Sequence, residues 1–331
     1  MERLLLYVHF NKFNQISEHV LYQLEKMRPL FRKVIFISNS KISQDQADEL
    51  KKELVDEVLL RKNIGFDFAA WRDGMKKVGF EELKSYDSVT LMNDTCFGPL
   101  WDLESLYQDF ESDRNVDFWG MTNYRKDKDF NEHIQSYYLS FKKNVVNSEA
   151  FQLFWQNIQD FTEVQDVIDH YETQVTTNLV QAGFHYQTVF NTIQADASGM
   201  LYPDFSYYNP TSILKNRVPF IKVKTIAAKA ATDVEGVYKL AGGVVDEVSK
   251  MLGKKRPTNG VKVEVGEVEC SIEIYLVIKY GYKIAEVAEA VQKAVLEEVS
   301  NLSGLKVVEV NVYVQNVKME EVEQTTEEFE D

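Results

Sequence analysis

Short apolar runs alternate with amphipathic stretches along the first two thirds of the chain. Runs at 4–10, 33–38 and 58–60 have the length and composition of buried strands. Between them, apolar residues recur at three-to-four spacing up to Pro29, and a second helix is expected at 43–54, whose first residue suits an N-cap. Because strands and helices alternate, the pattern predicts an α/β domain with a mostly parallel central sheet and right-handed crossovers.

A fourth apolar run, 89–92, is followed directly by three polar side chains. Asn93, Asp94 and Thr95 come where this strand is expected to end, and a Gly-Pro pair then turns the chain. Ligands of open α/β sheets bind outside the carboxyl ends of the strands, so the triplet could hold a phosphate, a sugar hydroxyl or a metal ion. Residues that only cap the next turn or helix are of the same types, and the triplet alone leaves both interpretations open.

The segment that follows the third strand combines a glycine, polar side chains and aromatic rings. Gly65 allows a close approach of the backbone. Hydrogen-bond donors and acceptors are supplied by Arg61, Asn63, Asp67 and Arg72. A base, a ribose and a diphosphate need polar groups, charge and flat apolar surface together. Lone charges would more often form a solvated face, but their alternation with aromatic residues beside a glycine favours a binding site.

Two later stretches supply candidates for the acceptor side. His133, Gln135 and Tyr137 alternate, so on one strand they would share a face and could hold a sugar, although a lone histidine is more often structural. Glu172 lies near the expected start of a helix at 169–184. There it could favour the helix dipole, or it could deprotonate an acceptor hydroxyl. The aromatic and polar stretch at 202–209 is a candidate lid or acceptor wall.

Composition changes near residue 225, which predicts a second domain. All four tryptophans and all five histidines precede this point, and Val, Ala, Glu and Gly dominate after it. The pattern then predicts a helix at 226–238, two strands within 261–281 around a hairpin at Gly266-Glu267, an amphipathic helix at 283–302 and a strand at 307–317. We expect domains at 1–225 and 226–318, the second a small α+β domain, and an acidic, disordered tail at 319–331.

The composition also narrows the class of protein. The 331 residues are 44% hydrophobic and 12% aromatic, which is enough for a substantial core, and a net charge of -15 argues against a nucleic-acid partner. Cys96 and Cys270 lie far apart without metal-type spacing, which suits two thiols in a reducing cytoplasm. The apolar run at the start is shorter than the core of a signal peptide, and no apolar stretch approaches the ~20 residues of a membrane span. We therefore expect a cytoplasmic chain whose membrane contact is peripheral.

Motifs along the whole first domain carry a family resemblance. In order, they are LLYVHFN, VIFISNS, RKNIGFDFAAWRDG, VTLMNDTCFGPL, DFWGMTN, EHIQSYYLSF, VIDHYETQVTTNLVQAGF and NPTSILKNRVPFIKVK. Residues 1 to about 224 resemble the rhamnan synthesis protein F family of streptococcal-type, Gram-positive cell-wall rhamnosyltransferases. The resemblance implies a glycosyltransferase that moves L-rhamnose from dTDP-rhamnose to a growing lipid-linked rhamnose polysaccharide at the inner face of the cell membrane.

The layout is also similar to GT-A glycosyltransferases, which implies roles for individual residues. Asp94 is the candidate ligand of Mg²⁺ or Mn²⁺, but one carboxylate stands where many such enzymes have two, so a metal requirement is left open. Glu172 is implied as the base of an inverting displacement, with Arg61, Arg72 or a cation offsetting the diphosphate charge. The implied donor-binding residues are Asn11, Asn39, Arg61, Asn63, Gly65, Asp67, Arg72, Asn93 and Asp94. The implied acceptor-binding residues are Trp119, His133, Gln135 and Tyr137.

The second domain resembles another family, the alkaline shock proteins. The resemblance is carried by DVEGVYKLAGG, GVKVEVGEVECSIEIYLVIKYG, IAEVAEAVQKAV and GLKVVEVNVYVQNV, while VPFIKVKT stands where the family's opening strand is expected. It implies a non-enzymatic envelope-stress module that associates with itself and with membrane-associated protein partners. A second hypothesis is therefore a non-catalytic, envelope-associated scaffold, a natural or artificial fusion that contains a truncated transferase. A dinucleotide oxidoreductase is disfavoured because no GxGxxG follows the first strand.

Overall fold

The computed structural model describes residues 1–11, 13–198, 204–241, 260–265, 269–303 and 305–319. These residues form two compact units, one over Met1–Lys222 and one that begins at Val223. The hairpin predicted at Gly266-Glu267, residue Tyr202 and the predicted tail from 320 onward lie outside the described residues.

An eight-stranded sheet forms the centre of the first unit. Its strands are β1 (Arg3–His9), β2 (Lys33–Ser38), β3 (Glu57–Leu60), β4 (Ser88–Asn93), β5 (Phe118–Tyr124), β6 (His133–Ile134), β7 (Tyr138–Lys142) and β8 (Tyr186–Phe190). Their order is β3-β2-β1-β4-β7-β5-β6, and β8 also pairs with β5. β1 is parallel to both β2 and β4. β2 is also parallel to β3, and β5 is parallel to β8, whereas β7 is antiparallel to both β4 and β5. β1 to β5 and β8 therefore run in one direction, and the predicted mixed α/β architecture with a mostly parallel sheet is confirmed.

Helices cover both faces of this sheet. They are α1 (Glu18–Met27), α2 (Gln44–Glu53), α3 (Phe66–Val78), α4 (Phe80–Leu83), α5 (Glu104–Ser112), α6 (Lys143–Val146), α7 (Glu149–Gln156), α8 (Val164–Val167), α9 (Thr173–Gln181), α10 (Phe205–Tyr208) and α11 (Pro210–Lys215). A π-helical turn, Ile168–Glu172, joins α8 to α9. Short 3₁₀ turns lie at Arg28–Leu30 and Thr192–Gln194. Ser43 caps α2 in a capping box with Gln46, as the sequence predicted for this helix start.

Two hydrophobic cores sandwich the sheet because successive strand residues point to opposite faces. Leu4 and Leu6 of β1 pack into the core that α3, α7 and α9 cover, and Leu5 and Tyr7 pack into the core that α1, α2 and α5 cover. All four side chains are fully buried. Burying one such side chain stabilises a fold by about 1.5–3 kcal/mol, so the strand ends that carry the polar residues are held on a rigid base.

The second unit is built on a smaller sheet. Its elements are α12 (Val223–Thr232), β9 (Val237–Leu240), β10 (Val261–Val265), β11 (Glu269–Lys279), α13 (Ile284–Ser303) and β12 (Lys306–Lys318). β11 pairs antiparallel with β9 and β10, and α13 makes the crossover to β12, which is parallel to β11. The predicted amphipathic helix is confirmed, since Val287, Val291, Val295 and Val299 form its buried face.

The helix predicted at 226–238 is wrong in its second half. α12 ends at Thr232, and the chain then enters β9 through Gly236, whose φ of 91° favours glycine. β9 pairs with β11. The alanine-rich start favoured a helix throughout, but pairing with β11 determines the conformation of the residues after the glycine.

Each unit contains one buried cysteine. Cys96 in the first unit and Cys270 in the second are both free, with 3% and 1% of their surface exposed. Burial raises the pKa of each thiol to about 11. The described helices include none that is both long enough and apolar enough to span a membrane.

Candidate active site

The polar triplet predicted from the sequence lies at the carboxyl edge of the sheet, where β1 and β4 are neighbours. Val8 pairs with Asn93, so the residues that follow the two strands are adjacent. The backbone N–H of Phe10 donates to Oδ2 of Asp94 at 2.9 Å, and Nε2 of His9 lies 4.0 Å from the same oxygen. The Asp94 side chain is 13% exposed. The end of β1 therefore holds this carboxyl group at the edge of the sheet.

Asn93 connects this edge to α3. Its Nδ2 donates to Oδ2 of Asp67 at 2.8 Å, and its Oδ1 accepts from the backbone and hydroxyl of Thr95 at 3.2 and 2.7 Å. Gly65 precedes the helix with a φ of 71°, and a Cβ there would lie 2.5 Å from the Cβ of Ala69. Asn93 thus stabilises the turn after β4, which agrees with the interpretation that residues of the triplet cap the next turn. It also contacts a second carboxyl group.

The carboxyl groups at this edge affect one another's protonation. Burial, with repulsion from Asp67 as a further cause, raises the pKa of Asp94 to about 8. Burial also raises the pKa of Asp67 to about 6, and the charge of Glu172 contributes to this rise. The hydrogen bond from Asn93 and the charge of Arg61 lower the pKa and oppose the shift. Carboxyl groups that retain protons near neutral pH are typical of functional sites, and a bound cation would favour their ionised forms.

Arg61 and Arg72 lie together, since both pair with Asp73 and with Asp160. Arg61 donates from Nη1 to Oδ1 of Asn39 at 2.6 Å and from Nε to Asp73 at 2.9 Å. Arg72 is buried, and it donates to Oδ1 of Asp160 and to the backbone oxygen of residue 158, each at 2.8 Å. The guanidinium of Arg72 holds the loop after α7, and its contact with the donor stays a prediction.

The three asparagines predicted for the donor side have different surroundings. Asn11 exchanges hydrogen bonds through its backbone with the hydroxyl of Ser40, and its Oδ1 accepts from the backbone of Phe13. Asn39 is buried, and its Nδ2 has no hydrogen-bond partner among the described residues. Asn63 is half-buried in the connection from β3 to α3. The buried amide of Asn39 thus leaves one donor without a partner among the described residues.

Glu172 lies inside a helical segment rather than near its start. The segment runs from Val164 through the π turn into α9, so Glu172 is about two turns from the first residue. The predicted helix start at 169 is wrong, and the helix-dipole interpretation fails with it. The backbone N–H and the hydroxyl of Ser136 donate to Oε1 of Glu172 at 3.1 and 2.8 Å. Its Oε2 accepts no hydrogen bond from the residues that the structure describes.

The strand predicted through His133, Gln135 and Tyr137 is interrupted by a turn between β6 and β7. His133 is buried and stacks on Tyr124, with ring centroids 5.2 Å apart, and its contact with the acceptor stays a prediction. Gln135 and Tyr137 share one partner, because the hydroxyl of Thr122 donates to Oε1 of Gln135 at 2.7 Å and lies 2.9 Å from the hydroxyl of Tyr137.

Trp119, predicted to bind the acceptor, is fully buried in the core. Its ring stacks on Phe110 with centroids 4.6 Å apart and meets the edge of Tyr107 at 5.0 Å. Packing accounts for this residue, and the prediction of an acceptor contact is corrected.

The structure adds two residues that the sequence did not single out. Nε2 of Gln135 donates to Oδ1 of Asp204 at 3.1 Å and lies 3.0 Å from Oγ of Ser206, whose hydroxyl donates to the same aspartate oxygen at 2.7 Å. An aspartate directly before a short helical pattern is typical of an N-cap, which is why it gave no functional signal. The interpretation of 202–209 as an acceptor wall had pointed to this region without naming a side chain.

A metal site formed by protein side chains alone is not found in the described part of the chain. Those residues include no group of three or more His, Cys, Asp or Glu side chains that could hold a metal ion. Mg²⁺ prefers several oxygen ligands, so a cation at Asp94 would need oxygens from a bound diphosphate.

The comparisons with known proteins agree with both family resemblances. The chain matches rhamnan synthesis protein F over residues 34–251 and the alkaline shock protein family, described as having a cell envelope-related function, over 220–319. The two resemblances inferred from the motifs are therefore confirmed, and the matches overlap at 220–251.

Among curated relatives, the uncharacterized protein y4gN of Sinorhizobium fredii is 28% identical over 176 residues, which are 53% of this chain and 45% of that protein. The chain therefore spans less than half the length of this relative. The uncharacterized protein YloU of Bacillus subtilis is 34% identical over 99 residues, which are 29% of this chain and 82% of that protein.

A solved structure of a putative nucleotide-diphospho-sugar transferase from Desulfovibrio desulfuricans aligns with 65% of this chain and 95% of its own. Its sequence identity is 13% and its TM-score is 0.34. The match to rhamnan synthesis protein F covers 218 of the 331 residues, from 34 to 251. The chain thus belongs to the rhamnan synthesis protein F family.

Proposed function

We propose that the first unit is a GT-A-like glycosyltransferase that moves L-rhamnose from dTDP-rhamnose to a growing lipid-linked rhamnose polysaccharide. The family membership supports this activity. The observation that supports it most directly is the junction of Asp67, Asn93 and Asp94 at the end of the central strand, within electrostatic reach of Glu172. Such a junction offers hydrogen-bonding groups to a nucleotide sugar, and carboxyl oxygens to a cation bound with it, at the sheet edge where ligands of α/β folds bind.

The reaction that fits this arrangement is a single displacement with inversion. The oxygen of an acceptor hydroxyl attacks the anomeric carbon, the bond from that carbon to the diphosphate breaks, and dTDP leaves with the bonding electrons. Glu172 takes the acceptor proton at Oε2, because Ser136 already occupies Oε1. Arg61, Arg72 or a Mg²⁺ or Mn²⁺ ion bound with Asp94 would offset the charge of the departing diphosphate.

The two parts of the chain then have separate tasks. Residues 1–225 form the transferase domain, and 226–318 form the alkaline shock protein-like domain that binds membrane-associated protein partners. The chain acts as a peripheral protein at the inner face of the cell membrane, where the lipid-linked acceptor is presented. The match of 220–319 to a family with a cell envelope-related function supports this placement.

The same match also favours a second function, a non-catalytic envelope scaffold in which the transferase unit is inactive. The two functions differ in turnover, since a scaffold could still bind dTDP-rhamnose. Release of dTDP from dTDP-rhamnose in the presence of a rhamnosylated lipid acceptor, with and without Mg²⁺ or Mn²⁺, separates them. Donor binding by the folded protein without turnover would favour the scaffold.

Glu172→Gln is the sharpest test of the mechanism. Glutamine retains an oxygen that can accept from Ser136 but cannot take a proton, so we expect dTDP release to fall by about 10²–10⁴-fold with little change in donor binding. Glu163→Gln, at an exposed position nine residues earlier in the chain, is the matched control and should keep full activity. Full activity of Glu172→Gln would show that another group is the base.

A further inference from the structure

The turn between β6 and β7 places three consecutive side chains against three different parts of the first unit. Gln135 contacts Asp204, Ser136 contacts Glu172, and Tyr137 contacts Thr122. Gln135 and Ser136 are 7% and 9% exposed. The turn is therefore a fixed support from which two carboxylates are held by neighbouring residues, whose Cα atoms are about 3.8 Å apart.

The side chain of Asp204 does not cap α10, although its position directly before that helix predicts a cap. It makes no capping hydrogen bond to the helix. Its Oδ1 instead accepts two hydrogen bonds, from Nε2 of Gln135 at 3.1 Å and from the hydroxyl of Ser206 at 2.7 Å. Its Oδ2 accepts no hydrogen bond from any described residue. One oxygen of the carboxylate is thus fixed, and the other is available to a ligand.

Gln135 fixes this geometry because its amide group is fully engaged. Its Oε1 accepts from Thr122 at 2.7 Å, and its Nε2 is within hydrogen-bond distance of Asp204 and Ser206. The amide orientation is set by this network, since a flipped amide would place a donor against the Thr122 hydroxyl and an acceptor against the carboxylate. A buried amide that is satisfied in this way holds Asp204 in one orientation.

Glu172 has the same arrangement on the other side of the turn. Ser136 binds its Oε1 through two donors and leaves Oε2 without a described partner. Two carboxylates held by adjacent residues, each with one oxygen that has no described partner, match a ligand that carries several hydroxyl groups.

We propose that Asp204 binds the acceptor sugar by accepting a hydrogen bond at Oδ2 from one of its hydroxyl groups, and that Gln135 is its positioning residue. The hydroxyl that Asp204 binds is distinct from the one that Glu172 deprotonates, so Asp204 orients the ring while Glu172 acts on the reacting oxygen. This role rests on the proposed transferase function, and it makes Asp204 a determinant of which acceptor is used.

The first test measures binding without turnover. Methyl α-L-rhamnoside is titrated into the full chain and followed by saturation-transfer NMR and calorimetry. Asp204→Asn keeps an oxygen for Gln135 and Ser206 but replaces the open acceptor by a donor, so we expect at least tenfold weaker binding. Asp196→Asn, an exposed position in the same region, makes the same change of charge and should bind like the wild type. Binding within twofold of the wild type for Asp204→Asn, or no binding by the wild type, would overturn the proposal.

A second variant covers the case in which Asp204→Asn does not fold. Gln135→Met keeps the length of the side chain but removes the donors to Asp204, so the glycoside should bind three- to tenfold more weakly while Trp fluorescence remains that of the folded unit. Unchanged glycoside affinity in Gln135→Met would show that Gln135 does not position Asp204.

The second test uses turnover with dTDP-rhamnose and a rhamnosylated lipid acceptor. In Asp204→Asn, we expect the acceptor KM to rise at least tenfold, with the donor KM and slow donor hydrolysis by water unchanged. A wild type that binds the glycoside through Asp204 but shows no transfer would refute the proposed function and leave this binding role intact. Transfer with an acceptor KM that Asp204→Asn does not change would refute the binding role and leave the transferase intact.

Discussion

Asp94→Asn should make the first unit more stable at alkaline pH. In the folded protein the pKa of Asp94 is raised from 3.8 to about 8, chiefly by burial. The native carboxyl group therefore keeps its proton in a pH range where the unfolded chain has lost it. Because the native state binds more protons between about pH 4 and pH 8, the free energy of unfolding of the wild type falls as pH rises through this window. Asparagine does not titrate, so this fall is absent from the variant.

The size of the effect follows from the pKa shift. One pKa unit corresponds to about 1.4 kcal/mol, so a shift of about four units sets an upper limit of about 6 kcal/mol above pH 8. Relaxation of the protein and access of water to a side chain that is 13% exposed reduce this value. We expect a gain of about 2–3 kcal/mol at pH 8.5 and close to none at pH 4.

Urea denaturation followed by tryptophan fluorescence measures this difference in the right part of the molecule. All four tryptophans lie before residue 225, and Trp71, Trp119 and Trp155 are fully buried. Asp129→Asn, at an exposed position, is the matched control and should leave the pH dependence unchanged. An equal change in stability at pH 4 and pH 8.5 would refute the reasoning. A gain in stability together with lost turnover would identify Asp94 as a residue kept for function at the expense of stability.

Three further substitutions test the packing that supports the site. Arg3→Met leaves the buried Glu111 without its ion-pair partner, whose Nη2 lies 2.6 Å from Oε2 of Glu111. Urea denaturation should show that the free energy of unfolding falls by about 3 kcal/mol. Gly120→Ala would place a Cβ 2.2 Å from Cγ2 of Ile134, so the midpoint of thermal unfolding should fall by an amount that corresponds to about 2–3 kcal/mol. Val295→Ala opens a cavity under α13. Denaturation followed by far-UV circular dichroism should show that the free energy of unfolding of the second unit falls by about 2 kcal/mol.

Exposed positions provide controls for these changes. Arg114→Met and Glu298→Ala alter residues on the surface and should change the free energy of unfolding by less than about 0.5 kcal/mol. If Arg3→Met cost no more than Arg114→Met, the ion pair would not contribute to stability. Equal effects of Val295→Ala and Glu298→Ala would contradict the burial of that helix face, and an unchanged midpoint for Gly120→Ala would show that β6 can shift.

The first part of the sheet could be predicted because its sequence signal is local. β1, β2 and β4 are apolar runs of strand length, and polar residues follow each of them, so the sheet and its polar edge could both be predicted. The junction of Asp94 with β1 also follows from the rule that parallel strands end at one edge. These inferences needed only period, length and strand direction.

Other features depend on partners that lie far away in the sequence. Arg72 and Asp160 are 88 positions apart, so the local pattern could not show that this guanidinium was already bound. Trp119 stands between Phe118 and Gly120 in its strand, and its ring is buried because both faces of the sheet are covered. The π turn before α9 and the unused capping position of Asp204 likewise result from tertiary contacts, which propensity does not encode.

The pair of buried cysteines allows the opening of each unit to be timed separately. A thiol reagent reacts with the thiolate, which is scarce while burial holds the pKa of Cys96 and Cys270 at about 11, and it must also reach the sulfur. When a unit opens, its cysteine regains a pKa of about 8.5 and reacts. Labelling rates of the two cysteine-containing peptides, read by mass spectrometry under native conditions, therefore give the frequency of opening of each unit without any introduced probe. A donor that binds the first unit should slow the labelling of Cys96 and leave that of Cys270 unchanged.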